Sequence, residues 1–168
     1  MTVNNGLIVA LFILFTTSLA VGYGFGVKTQ RLPFTANIGF SEQQWQFLRW
    51  WVKLALIAGV LLPIYLFVQA RGQAYSLIFW ESYLLVVAVQ LISELVFSRW
   101  LVPSIVVPIG FFYTIFRLWQ LLDGFTHLSL SSLALVSFVG VVLFWTANLA
   151  MLIMLAIPTI YQRQRFQE

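Results

Sequence analysis

Residues 74–122 read AYSLIFWESYLLVVAVQLISELVFSRWLVPSIVVPIGFFYTIFRLWQLL, two apolar runs separated by a short interruption. Each run has the length that an α-helix needs to cross a bilayer, about 20 residues. Arg99 and Trp100 are residue types typical of the membrane–water interface, and Pro103 suits the first turn of a new helix. We therefore predict two separate membrane-spanning helices here instead of one re-entrant hairpin.

The composition extends this interpretation to the whole chain. Its 168 residues are 61% hydrophobic and 8% charged. Soluble domains carry roughly 25% charged residues, so the main solvent of this protein must be lipid. We predict an all-α, polytopic bundle of five transmembrane helices that forms a single domain over residues 1–168. The predicted spans, numbered 1 to 5, cover about residues 6–26, 50–70, 74–98, 103–122 and 130–157.

The segments between the spans are short. The longest contains SEQQWQFLRWW at residues 41–51, in which Ser41 and Gln44 have the spacing of a helix capping box. Its alternation of polar and aromatic residues predicts a short interfacial helix before span 2. Pro63 is expected to bend span 2. Residues 123–129, which include the single His127, are expected to form a polar loop between spans 4 and 5.

The basic residues give the predicted orientation. With five spans, seven of the nine Lys and Arg residues fall on one side of the membrane, Arg71 falls on the other, and Arg117 lies inside span 4. The seven are Lys28, Arg31, Arg49, Lys53, Arg99, Arg163 and Arg165. Cytoplasmic segments carry an excess of Lys and Arg, so we expect the N-terminus outside and the C-terminus in the cytoplasm.

Several kinds of chemistry are excluded. The chain has no cysteine, which excludes disulfides, thiolate nucleophiles and Fe–S clusters. One His cannot build a multi-histidine metal site. No nucleophile–base set or paired-carboxylate cleft is recognisable, so we do not expect an enzyme or a metal site, and no cofactor is indicated. The scattered cations, which follow the ends of apolar runs, do not favour nucleic-acid binding.

Arg117 is the strongest candidate for a functional residue. An ionisable group inside a span costs about 2.5–3.5 kcal/mol on insertion scales. Thr114 lies three residues before it and Gln120 three after, and Tyr113 extends the same polar stripe. Since spans 3 and 4 are antiparallel, Arg117 should lie level with about residue 84, within reach of Glu81. We predict an Arg117–Glu81 pair that is either a structural ion pair or a ligand or proton site.

Two further sets of residues are candidates. Glu94 and Gln90 share a helical face different from that of Glu81, and Asn148 of span 5 is expected near them as a secondary polar site. Ser18, Gly22 and Gly26 form a small-residue series in span 1 that lets another helix approach closely.

Two function classes remain open. The first is a non-catalytic membrane protein, either an accessory or scaffold subunit or a binder of a hydrophobic ligand such as a lipid or pigment. Its expected partners are the lipid bilayer and other membrane subunits or a second copy of the chain. Mid-span Trp80, Trp119 and Trp145 would either line a ligand pocket or pack the bundle. The second is a small transporter or channel subunit that uses an Arg117/Glu81 site.

Overall fold

The computed structural model describes residues 2–128 and 130–161, and the side chains from residue 6 onward. The described part is an all-helical bundle with five helices that are long and apolar enough to cross a membrane, so the predicted fold class is confirmed. The spans are Gly6–Lys28, Glu42–Gln69, Ala74–Trp100, Pro103–His127 and Ser132–Ile160. The predicted tail cations Arg163 and Arg165 lie outside the described residues.

Two of these spans, the second and the fifth, each consist of two α-helices joined by a π-helical turn. The α-helices are α1 (Thr2–Lys28), α2 (Glu42–Leu56), α3 (Leu62–Gln69), α4 (Ala74–Trp100), α5 (Val106–His127), α6 (Ser132–Met151) and α7 (Ile157–Ile160). A 3₁₀ turn, Pro103–Ile105, leads into α5, and π-helical turns at Ile57–Leu61 and Leu152–Ala156 join α2 to α3 and α6 to α7.

Span 2 is continuous from Glu42 to Gln69. The capping box is present, since Gln44 N donates to Ser41 Oγ and Ser41 N donates to Gln44 Oε1. The amphipathic segment expected as a separate interfacial helix is thus the first part of α2. The helix widens into its π-helical turn just before Pro63, because proline has no N–H for the carbonyl of Gly59 four residues earlier.

Span 4 lies at the centre of the bundle and is the most buried of the five. The polar stripe predicted for it faces inward, since Tyr113, Thr114, Arg117 and Gln120 are all buried, and Gly110 and Gly124 are buried as well. The loop expected at residues 123–129 is shorter than predicted, because α5 continues to His127. His127 is exposed, and its Nδ1 lies 2.7 Å from Thr126 Oγ1 and 2.9 Å from the carbonyl of Asp123.

The segment after α1 is tied to two other helix ends. Thr35 N donates to the carbonyl of Ile160 at 2.8 Å, and Ser104 N donates to the carbonyl of Ala36 at 2.9 Å. These bonds bring the α1–α2 segment, the α4–α5 turn and the end of α7 to one end of the bundle. We call this the basic end, because Lys28, Arg31, Arg49, Lys53 and Arg99 belong to it or to the adjoining helix termini.

The small-residue series of α1 divides between two environments. Ser18 and Gly22 are exposed, and a Cβ built on Gly22 would meet nothing within 4 Å. Gly26 instead packs under Leu32 of the same chain, where a Cβ would lie 2.6 Å from Leu32 Cδ1. Gly26 therefore serves the fold of the following segment, and the predicted role of Ser18 and Gly22 in helix association stays a prediction.

Candidate ligand-binding site

An intramembrane cavity of about 270 Å³ lies between α2, α4, α5 and α6. Most of its wall is apolar, and a few polar side chains converge on it from three helices. Its polar and aromatic lining consists of Trp51, Gln90, Glu94, Arg117, Trp145 and Asn148. A largely apolar cavity with a few convergent polar groups is the usual form of a small-ligand site.

Arg117 is the most unusual group in this cavity. Its side chain is 2% exposed, and it forms no hydrogen bond or ion pair with any residue of the described ranges 2–128 and 130–161. Its guanidinium carbon lies 4.2 Å from the ring centroid of Trp145 and 6.0 Å from that of Tyr83. Cation–π contact stabilises the charge but leaves the N–H donors of the guanidinium free.

A chain of hydrogen bonds holds the ring on which Arg117 rests. Trp145 Nε1 donates a hydrogen bond to Tyr83 Oη at 2.6 Å, and Tyr83 Oη in turn donates to the carbonyl of Gly59 at 3.5 Å. That carbonyl lacks its usual α-helical donor because residue 63 is proline. Gly59 also makes room for the ring, since a Cβ there would lie 2.7 Å from Trp145 Cζ2. The break in span 2 thus helps to fix the floor of the cavity.

Glu94 is the acidic residue of the cavity lining. Its carboxylate accepts a hydrogen bond from Gln90 Nε2, one helical turn earlier, and Glu94 Oε1 approaches the open side of Gly110. Among the described residues, Glu94 is the carboxylate close enough to interact electrostatically with Arg117. The two groups do not form an ion pair. A donor and an acceptor therefore face one cavity without being joined directly.

Asn148 connects two walls of the cavity. Its Oδ1 accepts from Trp51 Nε1 at 2.8 Å, and its Nδ2 donates to Thr114 Oγ1 at 2.9 Å. Trp51 also stacks on Phe144, with ring centroids 5.4 Å apart. These contacts attach α2 to α6 and leave the Asn148 amide with partners at both ends.

The cavity reaches the lipid-facing surface beside α2. None of the described side chains of α2 is buried. Leu56 of α2 and Leu91 of α4 line the cavity and are each 50% exposed. The edge of the cavity therefore lies on the outer surface of the bundle.

The predicted Arg117–Glu81 pair is wrong. Glu81 is exposed, whereas Tyr83, two residues later, is fully buried against the Arg117 site. Two residues correspond to about 200° of helix rotation, so Glu81 faces away from α5. Tyr83 and Val87 of α4 flank the level of Arg117, as the predicted depth requires, but Glu81 at a similar depth points away from the cavity.

The structure also rearranges the two predicted polar sites. Glu94, Gln90 and Asn148, expected as a separate secondary site, line the same cavity as Arg117. Tyr113 and Gln120 lie elsewhere: the ring of Tyr113 packs edge-on against Phe12 at 5.0 Å, and Gln120 Nε2 donates to Ser82 Oγ at 3.4 Å. Tyr113 Oη and Gln120 Oε1 are both buried without a hydrogen-bond partner among the described residues.

Sequence reasoning overlooked three residues of the site. Helical spacing in the sequence does predict that Tyr83 shares a face with Gln90 and Glu94. The residues on this face of α4 are spaced by four, three and four positions: Tyr83, Val87, Gln90 and Glu94. Trp51 belongs to the segment predicted as an interfacial helix, and nothing in the sequence predicts its bond to Asn148. The role of Gly59 depends on the Trp145 ring, which lies 86 residues later in the chain, and no local pattern reveals it.

Of the mid-span tryptophans considered as pocket residues, Trp145 lines the cavity. Trp80 is 1% exposed and belongs to the packed core, with its ring 5.6 Å from that of Tyr83. Trp119 is 45% exposed on the outside of α5. The two alternatives of packing and pocket lining therefore apply to different members of the set.

Comparison with known proteins gives no relatives: no protein-family model, no curated protein and no solved structure matches this chain.

Proposed function

We propose that this protein is a non-catalytic, multi-pass membrane protein that binds a lipid-like ligand in its intramembrane cavity. The ligand's polar head accepts hydrogen bonds from Arg117, and its apolar part leaves the bundle between α2 and α4. The observation that carries the proposal is Arg117 itself, a buried side chain on the cavity wall whose Nε has no hydrogen-bond partner in the described part of the chain. Unpaired buried donors are costly, and a bound acceptor would remove that cost.

The shape of the cavity supports a lipid over a water-soluble ligand. Its wall is mostly apolar, and its edge is formed by half-exposed leucines on the lipid-facing surface. A ligand that already resides in the bilayer can reach Arg117 through this side without crossing water. An accessory role in a larger complex is compatible with this activity, and the exposed Ser18–Gly22 face of α1 is the surface on which a partner subunit would pack.

The test is retention of endogenous lipid by the purified protein. In mild detergent, the unmodified protein should carry a co-purifying lipid that native mass spectrometry detects as an added mass. Arg117→Leu should lose it, because the leucine offers no donor. Arg71→Leu is the matched control, since Arg71 is an exposed cation at the opposite end of the bundle from the basic end.

A second variant guards against misfolding of the arginine mutant. A Cβ on Gly110 would meet no atom closer than 3.7 Å, so a side chain there projects into the cavity without a backbone clash. Gly110→Leu should fill the cavity and lose the added mass while Arg117 is kept. The proposal is overturned if Gly110→Leu folds and retains the same lipid as the unmodified protein.

A transporter or channel subunit is the second candidate. It is favoured by the π-helical turns in spans 2 and 5, which both precede a proline and both border the cavity. Interrupted helices at a midplane site are typical of transporters. A flux assay in vesicles loaded with the co-purified ligand would distinguish transport from binding.

The proposed topology places the N-terminus outside and the C-terminus in the cytoplasm. Its support is the difference between the two ends of the bundle: Lys28, Arg31, Arg49, Lys53 and Arg99 belong to the basic end, and Arg71 to the other. Epitope tags on the two termini should be accessible from opposite sides of the membrane in intact cells. Access to both from one side would contradict the topology.

A further inference from the structure

The cavity presents a donor and an acceptor on different helices. Arg117 of α5 has unused N–H donors, and Glu94 of α4 has a carboxylate whose partner is Gln90 of its own helix. No described nitrogen of Arg117 comes within ion-pair distance of Glu94, although each acts on the other electrostatically. A ligand head placed between them would meet an N–H donor on one side and an oxygen acceptor on the other.

Resting on the proposed function, we propose that the ligand is an uncharged lipid whose head carries both a carbonyl acceptor and a hydroxyl donor, as diacylglycerol does. The ester carbonyl accepts from the Arg117 guanidinium, and the free hydroxyl donates to the Glu94 carboxylate. Both hydrogen bonds involve an ionised partner, which makes them stronger than bonds between neutral groups.

The composition of the cavity lining favours a neutral head over an anionic one. Arg117 and Glu94 are the ionisable residues of this lining, one basic and one acidic, and with both ionised their charges cancel. A phosphate head would add negative charge to a low-dielectric site beside Glu94, where Coulomb repulsion is weakly screened. A neutral head satisfies the same donor and acceptor and leaves the net charge at zero.

The surface of α2 provides an internal contrast. Arg49 and Lys53 lie in an exposed depression at the basic end, with Lys53 Nζ 4.4 Å from the centroid of the Trp50 ring. No carboxylate lines this depression in the described structure. Anionic headgroups should bind there, so the molecule separates the two lipid classes between an interfacial patch and the intramembrane cavity.

The experiment is a competition between two lipids with identical acyl chains. The protein is delipidated in detergent, incubated with equal amounts of dioleoylglycerol and dioleoyl phosphatidic acid, and examined by native mass spectrometry. Arg49→Gln/Lys53→Gln is used as the background, because it removes the interfacial binding of phosphatidic acid. We expect this protein to retain dioleoylglycerol over phosphatidic acid by about tenfold or more.

Glu94→Gln isolates the cause of this preference. The amide keeps the shape of the side chain and removes its charge, so retention of phosphatidic acid should rise relative to dioleoylglycerol. Equal retention of the two lipids, or preference for phosphatidic acid, in the background protein overturns the neutral-head assignment and leaves the proposed function standing. Retention that Gly110→Leu does not reduce overturns the proposed function itself.

Discussion

The two halves of span 2 differ both in sequence and in environment: α2 is amphipathic and contains charged residues, whereas α3 contains none. In α3, Pro63 and Leu66 are buried, and Leu66 belongs to the core that contains Trp80 and Phe138. In α2, none of the described side chains is buried, and the helix is attached to α6 through Trp51. The π-helical turn lies at the boundary between the two halves. The apolar half of the span therefore packs into the core, and the amphipathic half borders the cavity.

The difference in burial between α2 and α3 has a physical cause in the side chains that each helix faces. Facing α3 are large aromatic and branched residues that fill the space between helices. The cavity beside α2 is lined by the polar side chains of Gln90, Glu94, Arg117 and Asn148, which do not pack closely against the apolar side chains of α2. Association of helices in lipid depends on close packing and hydrogen bonds, and the contacts of Trp51 with Asn148 and Phe144 supply both where α2 meets α6.

The largest effect on stability is expected from removing the Trp145 ring, which lies between α3 and the cavity. Trp145 is 5% exposed and contacts Gly59, Tyr83 and Arg117. Trp145→Ala should lower the free energy of unfolding by about 3–5 kcal/mol, measured by SDS titration in mixed micelles. Trp119→Ala is the control, because Trp119 is 45% exposed, and it should cost far less. Equal losses in both variants would contradict the packed role of Trp145.

A smaller effect is expected from overfilling the junction at the π-helical turn. Gly59→Ala places a methyl group 2.7 Å from Trp145 Cζ2, so the ring must shift. The variant should be destabilised by about 1–3 kcal/mol, and it should lose cavity-bound lipid with it. Gly140→Ala is the matched control, since a Cβ there meets nothing within 4 Å and alanine favours the helix by up to about 1 kcal/mol. Similar unfolding curves for the two variants would show that the Gly59–Trp145 contact does not hold the junction.

Much of this architecture follows from the sequence because it depends on local patterns. Span number comes from run length, the start of α2 from Ser41 and Gln44, and the inward stripe of α5 from helical spacing around Arg117. Each of these features can be predicted from the sequence of a single helix. The bond between Trp51 and Asn148, which lie 97 residues apart, needs the mutual rotation of two helices. A single sequence contains no signal for that rotation.

The partner of Arg117 illustrates the same limit. Depth along a helix can be counted from a turn, and it correctly placed Arg117 near residue 84 of α4. Direction around the helix axis must also agree, and the buried face of α4 runs through Tyr83, Val87 and Gln90. Glu81 lies on the opposite side of that face, whereas Glu94 lies on it. Direction excludes Glu81, but depth would not have selected Glu94, which lies ten residues, or about 15 Å along the helix, from residue 84.

The smallest effect on stability is expected for Glu81→Gln, and it tests whether Glu81 or Glu94 interacts with Arg117. Glu81→Gln should change the free energy of unfolding by less than about 0.5 kcal/mol, because the side chain is exposed and makes no hydrogen bond or ion pair with a described residue. In double-mutant cycles with Arg117→Leu, Glu81→Gln should be additive to within about 0.3–0.5 kcal/mol. Glu94→Gln should instead show a coupling of about 0.5–3 kcal/mol, because its charge acts on Arg117 in the same cavity. A coupling that is larger for Glu81 than for Glu94 would mean that α4 is rotated relative to this structure, and the cavity would then lose its acceptor.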